Sequence, residues 1–214
     1  MLPTIADYSP PTRSDLPSNR VDWRIDPARA VVLVHDMQTY FVDAFGPDSE
    51  VATSAVANIQ RIRHAADAAG VPVYFTAQPP SQEPEQRGLL WDFWGPGIQD
   101  DGRDSVIDAL EPVPGEDLIT KWRYDAFVRT DLTDRIRQAG RDQLIVTGIY
   151  AHIGCLMTAT SAFMRDIRPF FVADAMADFS ADYHALALRY AAERCAFVLD
   201  SDAAVEQLSS GMRG

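Results

Sequence analysis

Lysine is almost absent from this chain: 18 of the 19 basic residues are arginine, and Lys121 stands alone. A coding bias toward arginine accounts for the eighteen but not for the exception. Lysine differs in being a compact, titratable point charge, so Lys121 is a candidate for chemistry. Cysteine is scarce too. Cys155 and Cys195 sit in apolar or helical contexts and not in a short, loop-rich frame, which argues against a disulfide scaffold. No stretch approaches the roughly 18 uninterrupted apolar residues of a membrane span. The start, MLPTIADYSPPTRSD, lacks the basic segment and apolar run of a secretion signal. These absences predict a cytoplasmic protein with no membrane partner. With a formal net charge of −12 there is also no basic stripe to neutralise phosphates, so no nucleic-acid partner is expected.

What is present suits one core. A chain of 214 residues with 47% apolar content is at the upper end of a single ordinary domain. Residues 1–28 carry five prolines and no apolar period, which predicts an extended arm; 29–208 form the single domain and 209–214 a tail. The continuous run AVVLVHD (30–36) reads as a strand buried on both faces. Further strands are predicted at 71–77, 117–121, 142–150, 168–175 and 196–200, with helices over 51–70, 130–140, 155–167 and 181–195. This alternation predicts a three-layer α/β/α fold around a six-stranded, mainly parallel, Rossmann-like sheet. The rhythm breaks at 78–116, too long for a simple connection. Its cluster of Trp91, Phe93 and Trp94 reads as an ordered lid or a subunit contact.

In open parallel sheets, ligands bind at the carboxyl ends of the strands, near the reversal of strand order. That rule collects Asp36, Gln78, Lys121 and the turn YAHIGC (150–155). An Asp at the end of a fully buried strand serves equally as a loop hydrogen-bonder, and its coincidence with the sole lysine favours catalysis. His35 alternates to the face opposite Asp36 and is assigned to the structure. His64 and His184 lie on helices without metal-ligand spacing, so no metal site is expected.

The segments LVHDMQTYF, TAQP, EQRGLLWDFWGPG, TKWRYDAF, GIYAHIGCL and RPFFVADAMADFS together resemble the isochorismatase-like hydrolases, over nearly the whole chain. Within that group they look like the true isochorismatases and the phenazine-pathway enzymes that hydrolyse 2-amino-2-deoxyisochorismate. In the cysteine branch of the group the nucleophile comes six residues after the glycine of the turn. Counting from Gly148 that position is Gly154, and Cys155 lies one residue on, about 100° further around a helix. Cys155 is then a small buried hydrophobe, with a cysteine amidase using it as a minority reading.

The resemblance implies hydrolysis of an enolpyruvyl vinyl ether, which starts with a proton delivered to the terminal methylene and needs no covalent intermediate and no cofactor. Asp36 is the acid, its pKa raised by apolar surroundings; a nearby Lys121 would lower it and keep the group ionised, so the acid is loaded only in the complex, where a dianionic, chorismate-derived substrate balances the lysine's charge. By the same resemblance Arg87 and Gln78 hold the carboxylate and ring substituents. Phe41, Trp94, Tyr124 and Tyr150 wall the pocket, while Gly154 leaves space and backbone amides at that helix start can bind an anion. Each wall residue reads equally well as core or interface. Some relatives carry a carrier-protein domain after the hydrolase and serve siderophore assembly. A chain stopping at Gly214 favours the amino substrate, with a stand-alone isochorismatase as the alternative. A homodimer is also implied.

Overall fold

The structure, a computed structural model, describes residues 2–210. Six strands, β1 (Ala30–His35), β2 (Val73–Ala77), β3 (Asp117–Thr120), β4 (Gln143–Ile149), β5 (Arg168–Ala177) and β6 (Phe197–Leu199), form one sheet in the order β3-β2-β1-β4-β5-β6, every pairing parallel. The helices are α1 (Thr39–Val42), α2 (Glu50–Ala68), α3 (Pro84–Arg87), α4 (Leu90–Trp94), α5 (Leu132–Gln138), α6 (Leu156–Phe163), α7 (Ala181–Arg194) and α8 (Ser201–Ser210).

The β-branched run of β1 is buried along its whole length, because each face has its own helical cover. Alternation sends Val32 and Val34 into one core with residues of α2 and α8. Val31 and Leu33 enter the other, with residues of α5, α6 and α7. Ser49 starts α2 by accepting the amide of Ala52, and Ser180 does the same for α7 through Tyr183. This is the three-layer α/β/α architecture expected from the alternation of elements.

Helix α8 is not among the expected elements. It places Ala204 and Leu208 in the core, and Asp200 accepts the amide of Ala203 at its start. Two strongly packed positions in ten residues leave too faint a period to read. Residues 211–214, most of the expected tail, lie outside the described residues. Along residues 2–28 the one helical element is a 3-10 turn at Arg13–Asp15. Asn19 in this segment donates to the Val198 carbonyl and accepts the Val198 amide, both at 2.7 Å, and so covers the open edge of β6.

Strand order reverses at β1, and the ends of β1 and β4 open a crevice there. The long 78–116 segment closes over it, carrying α3, α4 and a 3-10 turn at Asp108–Leu110. Buried Gln38 ties this cover to the end of β1: its amide donates to the carbonyls of Gln78 and Asp104, and its oxygen accepts the Gln78 amide.

Candidate active site

Asp36 stands one residue past β1 with φ of +49°, a left-handed conformation that Asp tolerates better than most side chains. Its carboxylate is only 5% exposed and fully engaged. Oδ1 accepts the Thr76 hydroxyl at 2.7 Å, and Oδ2 accepts the Gln78 amide at 3.3 Å and pairs with the Lys121 ammonium at 2.8 Å. Lys121 is itself buried and donates to the Arg123 carbonyl at 2.6 Å. The ends of β1, β2 and β3 thus converge on one charged pair.

That pair decides the protonation state of Asp36. Burial pushes its pKa upward, but the Lys121 charge, the neighbouring His35 ring and the hydrogen bonds from Lys121 and Thr76 outweigh burial, holding it below the usual carboxylate range. In the free protein Asp36 is a carboxylate.

The nine positions singled out in the sequence, Asp36, Phe41, Gln78, Arg87, Trp94, Lys121, Tyr124, Tyr150 and Gly154, all line one partly enclosed cavity. Leu2, Tyr40, Leu90, Ile149, Ile153 and Phe179 also line it, and no pattern in the sequence points to them. Trp94 donates its indole N–H to the Tyr124 hydroxyl at 2.5 Å, and the Tyr150 hydroxyl donates to the Phe41 carbonyl at 2.8 Å. Of the three lid aromatics only Trp94 faces this cavity; Phe93 is 77% exposed and Trp91 37%.

Arg87 enters from the lid. Its Nε donates to the Gly95 carbonyl at 2.6 Å, and Nη1 is buried with no hydrogen-bond partner among the described residues. A buried guanidinium nitrogen left unpaired keeps its full capacity to donate to an anion. Arg123, left without a role by the sequence, donates to the Gln86 and Trp122 carbonyls and so braces α3 beside Arg87.

Two expectations at the β4 turn need correction. A Cβ on Gly154 would fall 2.2 Å from Cε1 of His35, so the glycine does not open free space; the His35 ring fills it. The amides of Ile153 and Cys155 both donate to the Tyr150 carbonyl within the π-helical turn Ala151–Cys155, and neither is left for an anion. Cys155 is fully buried on the other side of the sheet from α2, and burial pushes its thiol pKa well up. Asp178, another residue the sequence did not flag, is fully buried and accepts the His152 amide, His152 Nδ1 and the Phe179 amide, which fixes the turn and the Phe179 wall together.

The family model of the Isochorismatase domain matches residues 30–203. The chain is 53% identical over 205 residues to the phenazine biosynthesis protein PhzD of Pseudomonas fluorescens, covering 95% of this chain and 98% of that protein. It is 52% identical over 210 residues to the isochorismatase of Bacillus subtilis (strain 168), covering 98% and 67%. A solved cysteine hydrolase from Pseudomonas syringae pv. phaseolicola 1448A superposes with a TM-score of 0.82 at 26% identity, covering 91% of this chain and 98% of that one.

Proposed function

This chain belongs to the isochorismatase family, and from that premise we propose that it hydrolyses the enolpyruvyl vinyl ether of 2-amino-2-deoxyisochorismate, giving trans-2,3-dihydro-3-hydroxyanthranilate and pyruvate. The observation that carries the reading is the acid without a nucleophile: the Asp36 carboxylate reaches the cavity, while position 154 is glycine and the Cys155 thiol is buried elsewhere. An acyl-transfer enzyme needs a nucleophile at that wall, and vinyl-ether hydrolysis does not. The full-length similarity to a phenazine biosynthesis protein supports the amino substrate over isochorismate.

The proposed steps follow from the charges. The substrate's carboxylates enter beside Lys121 and the unpaired Nη1 of Arg87. Negative charge next to the Asp36–Lys121 pair raises the Asp36 pKa, so the carboxylate takes a proton from solvent in the complex. Asp36 then delivers that proton to the terminal methylene, which becomes the methyl of pyruvate. Water adds to the resulting oxocarbenium carbon and returns a proton to Asp36. The hemiketal collapses with its hydroxyl proton moving to the departing ring oxygen, which leaves as an alcohol. Gln78 and the aromatic walls hold the ring, and Asp36 and Lys121 carry the chemistry.

The proposal includes a homodimer in the cytoplasm. In support, Met157 and Phe163 of α6 and Tyr183, Leu186 and Tyr190 of α7 are large apolar side chains left exposed, and both cysteines are unpaired. No helix among the described residues is long and apolar enough to cross a membrane.

The test is pyruvate release, coupled to lactate dehydrogenase, from 2-amino-2-deoxyisochorismate and from isochorismate. Wild type and Cys155→Ala are expected to turn over the amino substrate faster, and Asp36→Ala neither. A preference for isochorismate would install the alternative substrate. Loss of activity confined to Cys155→Ala would return the thiol to the mechanism.

A further inference from the structure

The His35 ring is the floor beneath Gly154. A Cβ built on that glycine would lie 2.2 Å from Cε1, 2.9 Å from Nδ1 and 3.0 Å from Nε2, distances at which the ring has to move. It has little freedom to do so. Nδ1 sits 3.0 Å from the Ile149 carbonyl, and Nε2 is 3.3 Å from both the Tyr124 carbonyl and the Thr158 hydroxyl. His35 is 1% exposed. On its backbone side a Cβ at Gly148 would fall 2.2 Å from the His35 carbonyl oxygen, so β4 presses against it.

The ring's partners belong to the site. Ile149 precedes the Tyr150 wall, and Tyr124 is a wall whose hydroxyl accepts from Trp94. Nδ1 is also 3.7 Å from Oδ1 of Asp36. Burial pushes the imidazole below its usual pKa, and a neutral ring has one N–H. The tautomer that fits donates from Nδ1 to Ile149 and accepts at Nε2 from Thr158, whose oxygen already accepts the Ala126 amide and whose proton is free to give. One side chain therefore joins the ends of β1 and β4 directly and α6 through Thr158, whose bond from the Ala126 amide carries the link on to the 121–127 segment, while the Tyr124 carbonyl is a packing contact of Nε2 and not a hydrogen-bond partner.

We propose that His35 is a positioning and specificity-determining residue: its ring occupies the volume any side chain at position 154 would need, and its hydrogen bonds set the walls that face Asp36. His35 and Gly154 act as one unit, which commits the cavity to proton transfer and excludes a nucleophile from the wall. This inference rests on the vinyl-ether reading.

The test is a double-mutant cycle on pyruvate release with Gly154→Ala, His35→Asn and the pair, with His35→Leu beside them. Asn is smaller than His and keeps an amide donor near the Nδ1 position. Gly154→Ala alone is expected to lower kcat about 100-fold with KM changed less than about threefold, and the double variant to recover at least about tenfold of that loss, the non-additivity of groups in contact. His35→Leu, which keeps volume without hydrogen bonds, is expected to lose more kcat than His35→Asn. Additive effects in the cycle, or a loss carried by KM, overturn the inference and leave the function standing if wild type releases pyruvate. If wild type releases none, the function falls and this inference with it. Where Gly154→Ala gives no folded protein, the yield of the folded double variant is the readout: recovery supports the steric unit, and no recovery overturns it.

Discussion

Nζ of Lys121 lies 2.8 Å from Oδ2 of Asp36, and both side chains are almost wholly withdrawn from solvent. A buried ion pair is weak evidence for stability as a pair, yet losing one member strands the other charge, typically at about 3–5 kcal/mol. Lys121→Met is therefore expected to destabilise the fold by about that amount and to abolish most pyruvate release. Asp36→Asn/Lys121→Met should recover much of the stability and none of the activity. Urea unfolding of wild type, Asp36→Asn, Lys121→Met and the double variant decides it; if the single effects simply add to within about 0.5 kcal/mol, the pair is not coupled.

The same pair sets the pH dependence. kcat/KM reports the free enzyme, in which Asp36 is held below the usual carboxylate range and is ionised at neutral pH. The protonated fraction grows about tenfold for each unit of falling pH above that pKa, so kcat/KM is expected to rise from neutral into the mildly acid range. Stability responds lower down. A carboxyl whose folded pKa is depressed stabilises the fold above its unfolded value, about 3.9, and that contribution is lost as pH falls through the folded pKa. Between about pH 4 and 7 the rise in rate is thus measurable without acid unfolding of this pair. A profile that is flat across that window removes the protonated carboxyl from the mechanism.

Burial of the Cys155 thiol makes a third expectation. It is 0% exposed, its sulfur faces the Thr147 carbonyl at 3.9 Å, and burial pushes its pKa well up. A thiol-directed alkylating reagent is expected to leave native pyruvate release unchanged, with both cysteines modified only after unfolding. Cys155→Ala should retain kcat within about threefold, with a stability loss of about 1–2 kcal/mol from the cavity it leaves. Inactivation of the folded enzyme by alkylation at Cys155 would contradict the placement of the thiol.

Much of this site is visible in the sequence because the sheet does the gathering. AVVLVH declares a fully buried β1, and the strand-end rule then brings Asp36, Gln78, Lys121 and Gly154 to one crevice. The rest lies in three-dimensional contacts. His35 follows strand alternation to the face of Val31 and Leu33, where its ring meets Thr158 and does not line the cavity; the contact that no local pattern signals is the one its ring makes beneath Gly154. For Asp36 the sequence poses the conflict between apolar surroundings and Lys121 without resolving it, and the 2.8 Å ion pair with Lys121 and the hydrogen bond from Thr76, both from other strands, resolve it toward the carboxylate. Asp178 pins the Tyr150–Cys155 turn from 26 residues beyond His152, a pairing that no local pattern signals. Helix α8 carries too few apolar positions to announce itself.

Arg87 and Gly97 give the last expectation. The guanidinium of Arg87 is held by the Gly95 carbonyl and packed so close to the lid that a Cβ on Gly97 would fall 2.4 Å from its Cζ. Gly97 also has φ of +72°, so Gly97→Ala strains the backbone and displaces the guanidinium at once. If Arg87 receives a substrate carboxylate through its unpaired Nη1, both Gly97→Ala and Arg87→Lys weaken ground-state binding. Lysine supplies the charge but not the planar fork, and a charge-assisted hydrogen bond contributes about 1.5–3 kcal/mol, so KM is expected to rise roughly 10- to 100-fold. Because Asp36 and Lys121 keep their places, kcat should fall far less. Steady-state kinetics separates the cases: an unchanged KM with a collapsed kcat would mean that Arg87 supports the reacting groups and not the carboxylate.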